Sequence, residues 1–124
     1  MLSRDYLLAK VSQFFETLAK ARKALGDKQY ELLCSILNEN FNESAVTDYL
    51  HEENTELSED AYQYLLFQSE LLFLQLQHQK ATGGLYESVK KRYLALAQKL
   101  LKADTRNFNF GLHQKIISVQ QDNF

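Results

Sequence analysis

Few residues in this chain could begin chemistry. The one cysteine, Cys34, is the candidate reactive thiol, and the three histidines, His51, His78 and His113, are its candidate partners. A catalytic thiol needs a positioned partner that holds it as thiolate. Cys34 instead lies within Leu32-Leu33-Cys34-Ser35-Ile36-Leu37, a setting in which cysteine behaves as a small hydrophobe. Glu70 and His78 stand eight residues apart, about 12 Å along a helix, which is too far for one shared ligand set. Glu52-Glu53-Glu56 and Glu59-Asp60 gather carboxylates. No histidine or apolar setting accompanies them to separate their pKa values, so they read as solvated acidic surface. The sequence has no His-Glu-x-x-His, Cys-x-x-Cys or EF-hand spacing. Its four glycines, Gly26, Gly83, Gly84 and Gly111, make no phosphate loop. The expectation is a chain that is not an enzyme and takes no metal and no cofactor.

The elements that would position any site are helices. The 124 residues contain no proline, where average usage of about 5% would supply about six. Proline breaks helix interiors, so its absence fits a chain that is mostly helical. Composition is 45% apolar and 24% charged, which is globular rather than disordered. Leu7, Val11, Phe14, Leu18, Ala21 and Leu25 alternate spacings of four and three and define a first helix. Ser3 or Asp5 is its expected cap, and Gly26 its expected left-handed stop. Asp27 is the expected cap of a second helix with the stripe Tyr30, Leu33, Cys34, Leu37 and Phe41. Residues 43–59 are polar, with Val46, Tyr49 and Leu50 as their apolar group, and read as a short helix from Ser44 to about Glu53 or as a surface loop. Ser58 caps a long helix that Gly83-Gly84 stops near Thr82. A fourth long helix carries Tyr86, Val89, Tyr93, Leu96 and Leu100, and the short break implies an antiparallel pair. Asp104 or Asn107 begins a fifth, with Leu112, Ile116 and Val119 facing inward. The period-two run Asn107-Phe108-Asn109-Phe110 allows an extended start. The expected fold is all-α: a single domain over residues 1–124, a compact bundle of about five helices built from antiparallel hairpins.

Charge is segregated along the chain. Residues 1–28 carry six bases and three acids, and residues 80–124 carry eight bases and three acids. Between Lys28 and Lys80 there are ten acids and no lysine or arginine. The acidic middle is expected to lie against the basic fourth long helix, within one molecule or across a dimer. Lys90-Lys91-Arg92, Lys99, Lys102 and Arg106 would be the contact set for nucleic acid, but a pI near 5.9 and the lack of a known binding motif argue against that use. The opening Met1-Leu2-Ser3-Arg4-Asp5 lacks a signal-peptide pattern, and no stretch is apolar enough for a membrane span. The Asn42-Glu43-Ser44 sequon then has no secretory context, and the expected location is the cytoplasm.

The third long helix has too many apolar residues for one face. Ala61, Tyr62, Leu65, Leu66, Leu72, Phe73 and Leu76 fall in one broad arc at 100° per residue. Tyr64, Phe67, Leu71 and Leu74 fall in a second. Gln63, Glu70 and Gln77 divide the arcs on one side, Gln68 and Gln75 on the other. Four large apolar side chains exposed together are rare on monomers. The second arc therefore packs on another helix of the chain, or it forms a partner-binding surface of Tyr64, Phe67, Leu71 and Leu74 with His78 at the rim.

Phe73 and Leu76, then Gly84-Leu85-Tyr86-Glu87 at the turn, then Tyr93, resemble one tetratricopeptide unit. Gly26 to Tyr30-Glu31 echoes Gly84 to Tyr86-Glu87. Val89 and Leu96 replace the alanines that family prefers, Gln77 replaces a small residue, and no proline follows the unit. Arg4-Asp5-Tyr6-Leu7-Leu8 with this layout also resembles a group of small uncharacterised bacterial proteins with tetratricopeptide-like helices. The resemblance implies helical hairpins and protein binding, with another protein or a second copy of the chain as partner. It implies no catalytic residues.

Overall fold

A computed structural model describes residues 2–53, 56–103 and 109–124. The structure is all-α. Six helices take up 82% of the described residues, and no strand occurs among them. They divide into two compact units, Met1–Phe41 and Asn42–Phe124.

The first unit is a helical hairpin of α1 (Leu2–Gly26) and α2 (Tyr30–Asn40). Its buried residues are Leu18, Ala21 and Ala24 on α1 and Leu33 and Leu37 on α2. At about 1.5 Å per residue α1 is about 37 Å long and α2 about 16 Å. The shorter helix therefore reaches only the C-terminal half of the longer one. The expected caps differ here. Helix α1 already runs through Ser3 and Asp5. The left-handed residue is Lys28 (φ 59°), not Gly26. The Gln29 amide donates to Ala24 O (2.8 Å) and the Lys28 amide to Leu25 O (3.2 Å), the paired bonds of a Schellman stop. Gln29 rather than Asp27 precedes α2, and its side chain caps nothing.

The second unit contains α3 (Glu43–His51), α4 (Glu59–Ala81), α5 (Glu87–Ala103) and α6 (Phe110–Gln120). Helix α3 settles residues 43–51 as helix and raises the number of helices from five to six. Asn42 is its N-cap and accepts from the Ala45 amide at 3.0 Å. Ser58 caps α4 by accepting from the Ala61 amide at 3.2 Å, as its sequence position suggests. Gly83 (φ 74°) and Gly84 stop α4 with a second Schellman pair onto Lys80 O and Gln79 O. Helices α4 and α5 form an antiparallel hairpin, α6 packs on α5, and α3 packs on α4 and α5. Residues 104–108, including the expected caps Asp104 and Asn107, lie outside the described residues. Asn109 caps α6, accepting from the Leu112 amide at 3.0 Å. Val46, Leu72, Leu76, Tyr93, Leu96, Leu100, Ile116 and Val119 make the core of this unit.

The chain's last residues are fastened rather than loose. The Lys80 ammonium donates to Asp122 O (2.6 Å) and the Lys90 ammonium to Asp122 Oδ1 (2.7 Å). The Phe124 ring meets Tyr86 edge-on with centroids 5.5 Å apart, and Lys80 Nζ lies 4.5 Å from its centroid.

Candidate functional site

The residues that could do chemistry stay apart or take structural places. His51 ends α3 exposed, His78 is half-buried near the end of α4, and His113 is half-buried on α6. Cys34 is a half-buried free thiol on α2. Glu52, Glu53, Glu56, Glu59 and Asp60 are exposed. No group of three or more metal-ligating side chains occurs among the described residues.

Helix α4 is enclosed along its length, and no residue from Ala61 to Lys80 is fully exposed. An all-round apolar helix behaves this way when it is central. Of the second arc, Phe67 (5% exposed), Leu71 (1%) and Leu74 (2%) are buried within the single chain. Tyr64 is half-buried, and its hydroxyl accepts from Asn42 Nδ2 at 2.9 Å. His78 offers its backbone carbonyl to the Thr82 amide and hydroxyl, both at 3.0 Å. The arc thus leaves water without a second molecule. Gln68, a divider between the arcs in the sequence, is fully buried, and its Oε1 accepts from the Asn42 amide at 2.8 Å. That bond ties α4 to the start of α3.

The segregated charges meet inside the second unit. Arg92 on α5 pairs with Glu43 on α3 at 2.8 Å and donates to Thr47 Oγ1. The Arg92 guanidinium holds the Glu43 carboxyl below its usual pKa, first by hydrogen bonding. Lys99 donates to the carbonyls of Tyr49 and Glu52, at the end of α3, and lies 4.3 Å from the Tyr49 ring centroid. A cation there answers the negative end of the helix dipole. Lys90 is raised above its usual pKa by its hydrogen bond to Asp122. Three of the α5 bases are therefore engaged by the chain's own oxygens, while Lys91 and Lys102 are exposed.

Two tyrosine hydroxyls, of Tyr49 and Tyr93, are buried with no hydrogen-bond partner among the described residues. Burial pushes the Tyr49 phenol up to about 12, with Glu52 and Tyr62 adding to it. Burial also pushes Tyr93 up, with the Glu70 charge second.

Exposed apolar side chains carry more information. Leu8, Phe15, Leu32, Leu85 and Phe110 are large and exposed. Leu8 (58%) and Phe15 (64%) lie seven residues apart on one face of α1. Sequence reasoning missed them because the stripe Leu7, Val11, Phe14 accounts for the same turns. The signal was present as a second heptad one residue on: Leu8, Ser12, Phe15, Ala19, Arg22.

No protein-family model matches the chain, and neither a curated protein nor a solved structure matches it.

Proposed function

We propose that this chain is a helical interaction module, without catalysis of its own, that binds another protein or a second copy of itself. The observation that carries this reading is the Leu8–Phe15 face of α1, two large apolar side chains exposed two turns apart on one face. The tetratricopeptide-like reading of α4 and α5 has support in geometry. Phe73 and Tyr93, both named by that resemblance, meet with ring centroids 5.6 Å apart. A nucleic-acid role for α5 draws no such support, because Lys90, Arg92 and Lys99 already serve the fold.

Site-specific photo-crosslinking in the native host tests the reading. A photoreactive residue at Phe15 should give discrete protein adducts, self-adducts included. The same residue at exposed Gln98 on α5 should give none. Identical adducts from both positions, or none from either, would remove the case for a binding face on α1.

A further inference from the structure

We propose that Lys80, Tyr86 and Lys90, at the tip of the α4–α5 hairpin, form a recognition site for an Asp-x-Phe segment of a partner protein, and that the chain keeps this site filled with its own Asp122-Asn123-Phe124. The surface is separate from the α1 face and does not rest on the reading of that face. The seated tail shows the chemistry the site selects. Two ammonium groups converge on Asp122: Lys80 Nζ donates to its carbonyl at 2.6 Å and Lys90 Nζ to its carboxylate at 2.7 Å. Two residues on, the Phe124 ring stands edge-on to Tyr86 with centroids 5.5 Å apart, and Lys80 Nζ lies 4.5 Å from its centroid. Lys80 thus touches both ends of the motif and sets the spacing between acid and ring.

The tail is seated without being built in. Gln121, Asp122 and Asn123 are exposed and Phe124 is half-buried. Exposed ion pairs hold weakly, so the tail can leave while α6 stays docked through Leu112, Ile116 and Val119, which are buried. Asp122 stands at φ 54°, where the stop after α4 uses Gly83 at φ 74°. Glycine meets the conformational need there at no strain, and aspartate adds the carboxylate that Lys90 binds. With the tail gone, two cations stand beside one tyrosine ring, a setting that favours an acidic, aromatic ligand. Leu85, next to Tyr86 in the chain, is 96% exposed, apolar surface that the tail leaves to a longer partner segment. A tethered tail competes at an effective concentration on the order of millimolar. It therefore acts as a guard that a weak or unsuited ligand does not displace.

The test is fluorescence anisotropy with a labelled peptide of residues 118–124. It is added to the full chain in two forms, one intact and one emptied by Asp122→Ala and Phe124→Ser together. The peptide should bind the emptied chain with a Kd of about 0.1–1 mM, as suits a small contact. It should bind the intact chain about tenfold or more weakly, because the tethered tail competes. In the emptied chain, Lys90→Gln or Tyr86→Ser should cost about tenfold in affinity, and added salt should weaken binding. Lys91→Gln, exposed on the same helix, should change nothing, and a peptide with the same two tail replacements should not bind. Circular dichroism should show both forms equally helical. Absence of saturable binding to the emptied chain, or equal binding to both forms, would overturn the proposal. So would loss of helicity on emptying the site, since the tail would then be part of the fold and not a guard. Self-association of the intact chain that Phe124→Ser abolishes would give the site to a second copy and overturn the assignment to a partner protein. The photo-crosslinking at Phe15 is independent of all these outcomes, so the two readings fail separately.

Discussion

Lys115 on α6 donates to both carboxylate oxygens of Glu70 on α4, each at 2.7 Å. The pair is largely out of water, with side-chain exposures of 31% and 15%, and Lys115 Nζ also lies 5.5 Å from the Phe73 ring centroid. Removing one partner leaves a charge in a poorly solvated place, which costs more than removing both. Lys115→Met should destabilise the fold by about 2 kcal/mol, and Glu70→Gln/Lys115→Met by clearly less than the two single changes added. Urea unfolding of the three variants measures this, and additive costs would show that the pair is not coupled.

The left-handed position after α1 is filled by Lys28, while the same position after α4 is filled by Gly83. A side chain with a Cβ is strained at that φ, and glycine is not. Lys28→Gly should therefore stabilise the chain by about 0.5–1 kcal/mol, and Gly83→Ala should destabilise it by about 1 kcal/mol. Open space surrounds Gly83, so any cost there reports backbone conformation and not a clash. Thermal melts of the two variants should move in opposite directions.

Tyr49 and Tyr93 bury hydroxyls that bond to nothing among the described residues. Tyr93→Phe should raise stability by about 1 kcal/mol, since a buried donor without a partner carries an uncompensated desolvation cost. Tyr49 adds a pH dependence. Its folded phenol holds its proton up to about 12, whereas an unfolded tyrosine releases it near 10. Below about pH 10 both states are protonated and the stabilisation is whole. Between about 10 and 12 only the unfolded state ionises, so stability falls as pH rises through that window. Tyr49→Phe should flatten this fall in alkaline denaturation curves, and an unchanged slope would contradict the assignment.

Local signals for the fold were plain in the residues wherever one helix decided the outcome. The 3–4 spacings of α1, α4 and α5, the Ser58 cap and the Gly83 stop depend on their own turn alone. Lys28 was not legible, because the hairpin forces its φ whatever residue stands there, and Gly26 nearby drew the assignment. Residues 43–51 looked ambiguous because much of what holds α3 comes from elsewhere: Gln68, Arg92 and Lys99 supply its end contacts. The apolar surplus on α4 was visible, but not which arc would find cover. The Leu8–Phe15 face was hidden for a related reason. A helical wheel shows which residues share a face, but not which face the hairpin covers: Leu18, Ala21 and Ala24 are buried, while Leu8 and Phe15 are exposed.

The contrast between the two apolar faces gives the last prediction. Leu71 on α4 is 1% exposed and Phe15 on α1 is 64% exposed. Truncating a buried leucine removes its transfer energy and leaves a cavity, so Leu71→Ala should cost about 2–5 kcal/mol. Phe67→Ala, at 5% exposure, should cost about 3–5 kcal/mol by the same two terms. Phe15→Ala loses little burial within one chain and should stay within about 0.5 kcal/mol of the parent. The measurement must be made at protein concentrations low enough to keep the chain monomeric, because an associating face would otherwise add mass-action stability at Phe15. Denaturant titrations under that condition assign each face directly. A small cost at Leu71 in a monomer would mean that the second arc of α4 is not core. A large cost at Phe15 would mean that the α1 face is already covered within the chain, and would remove it as a docking surface.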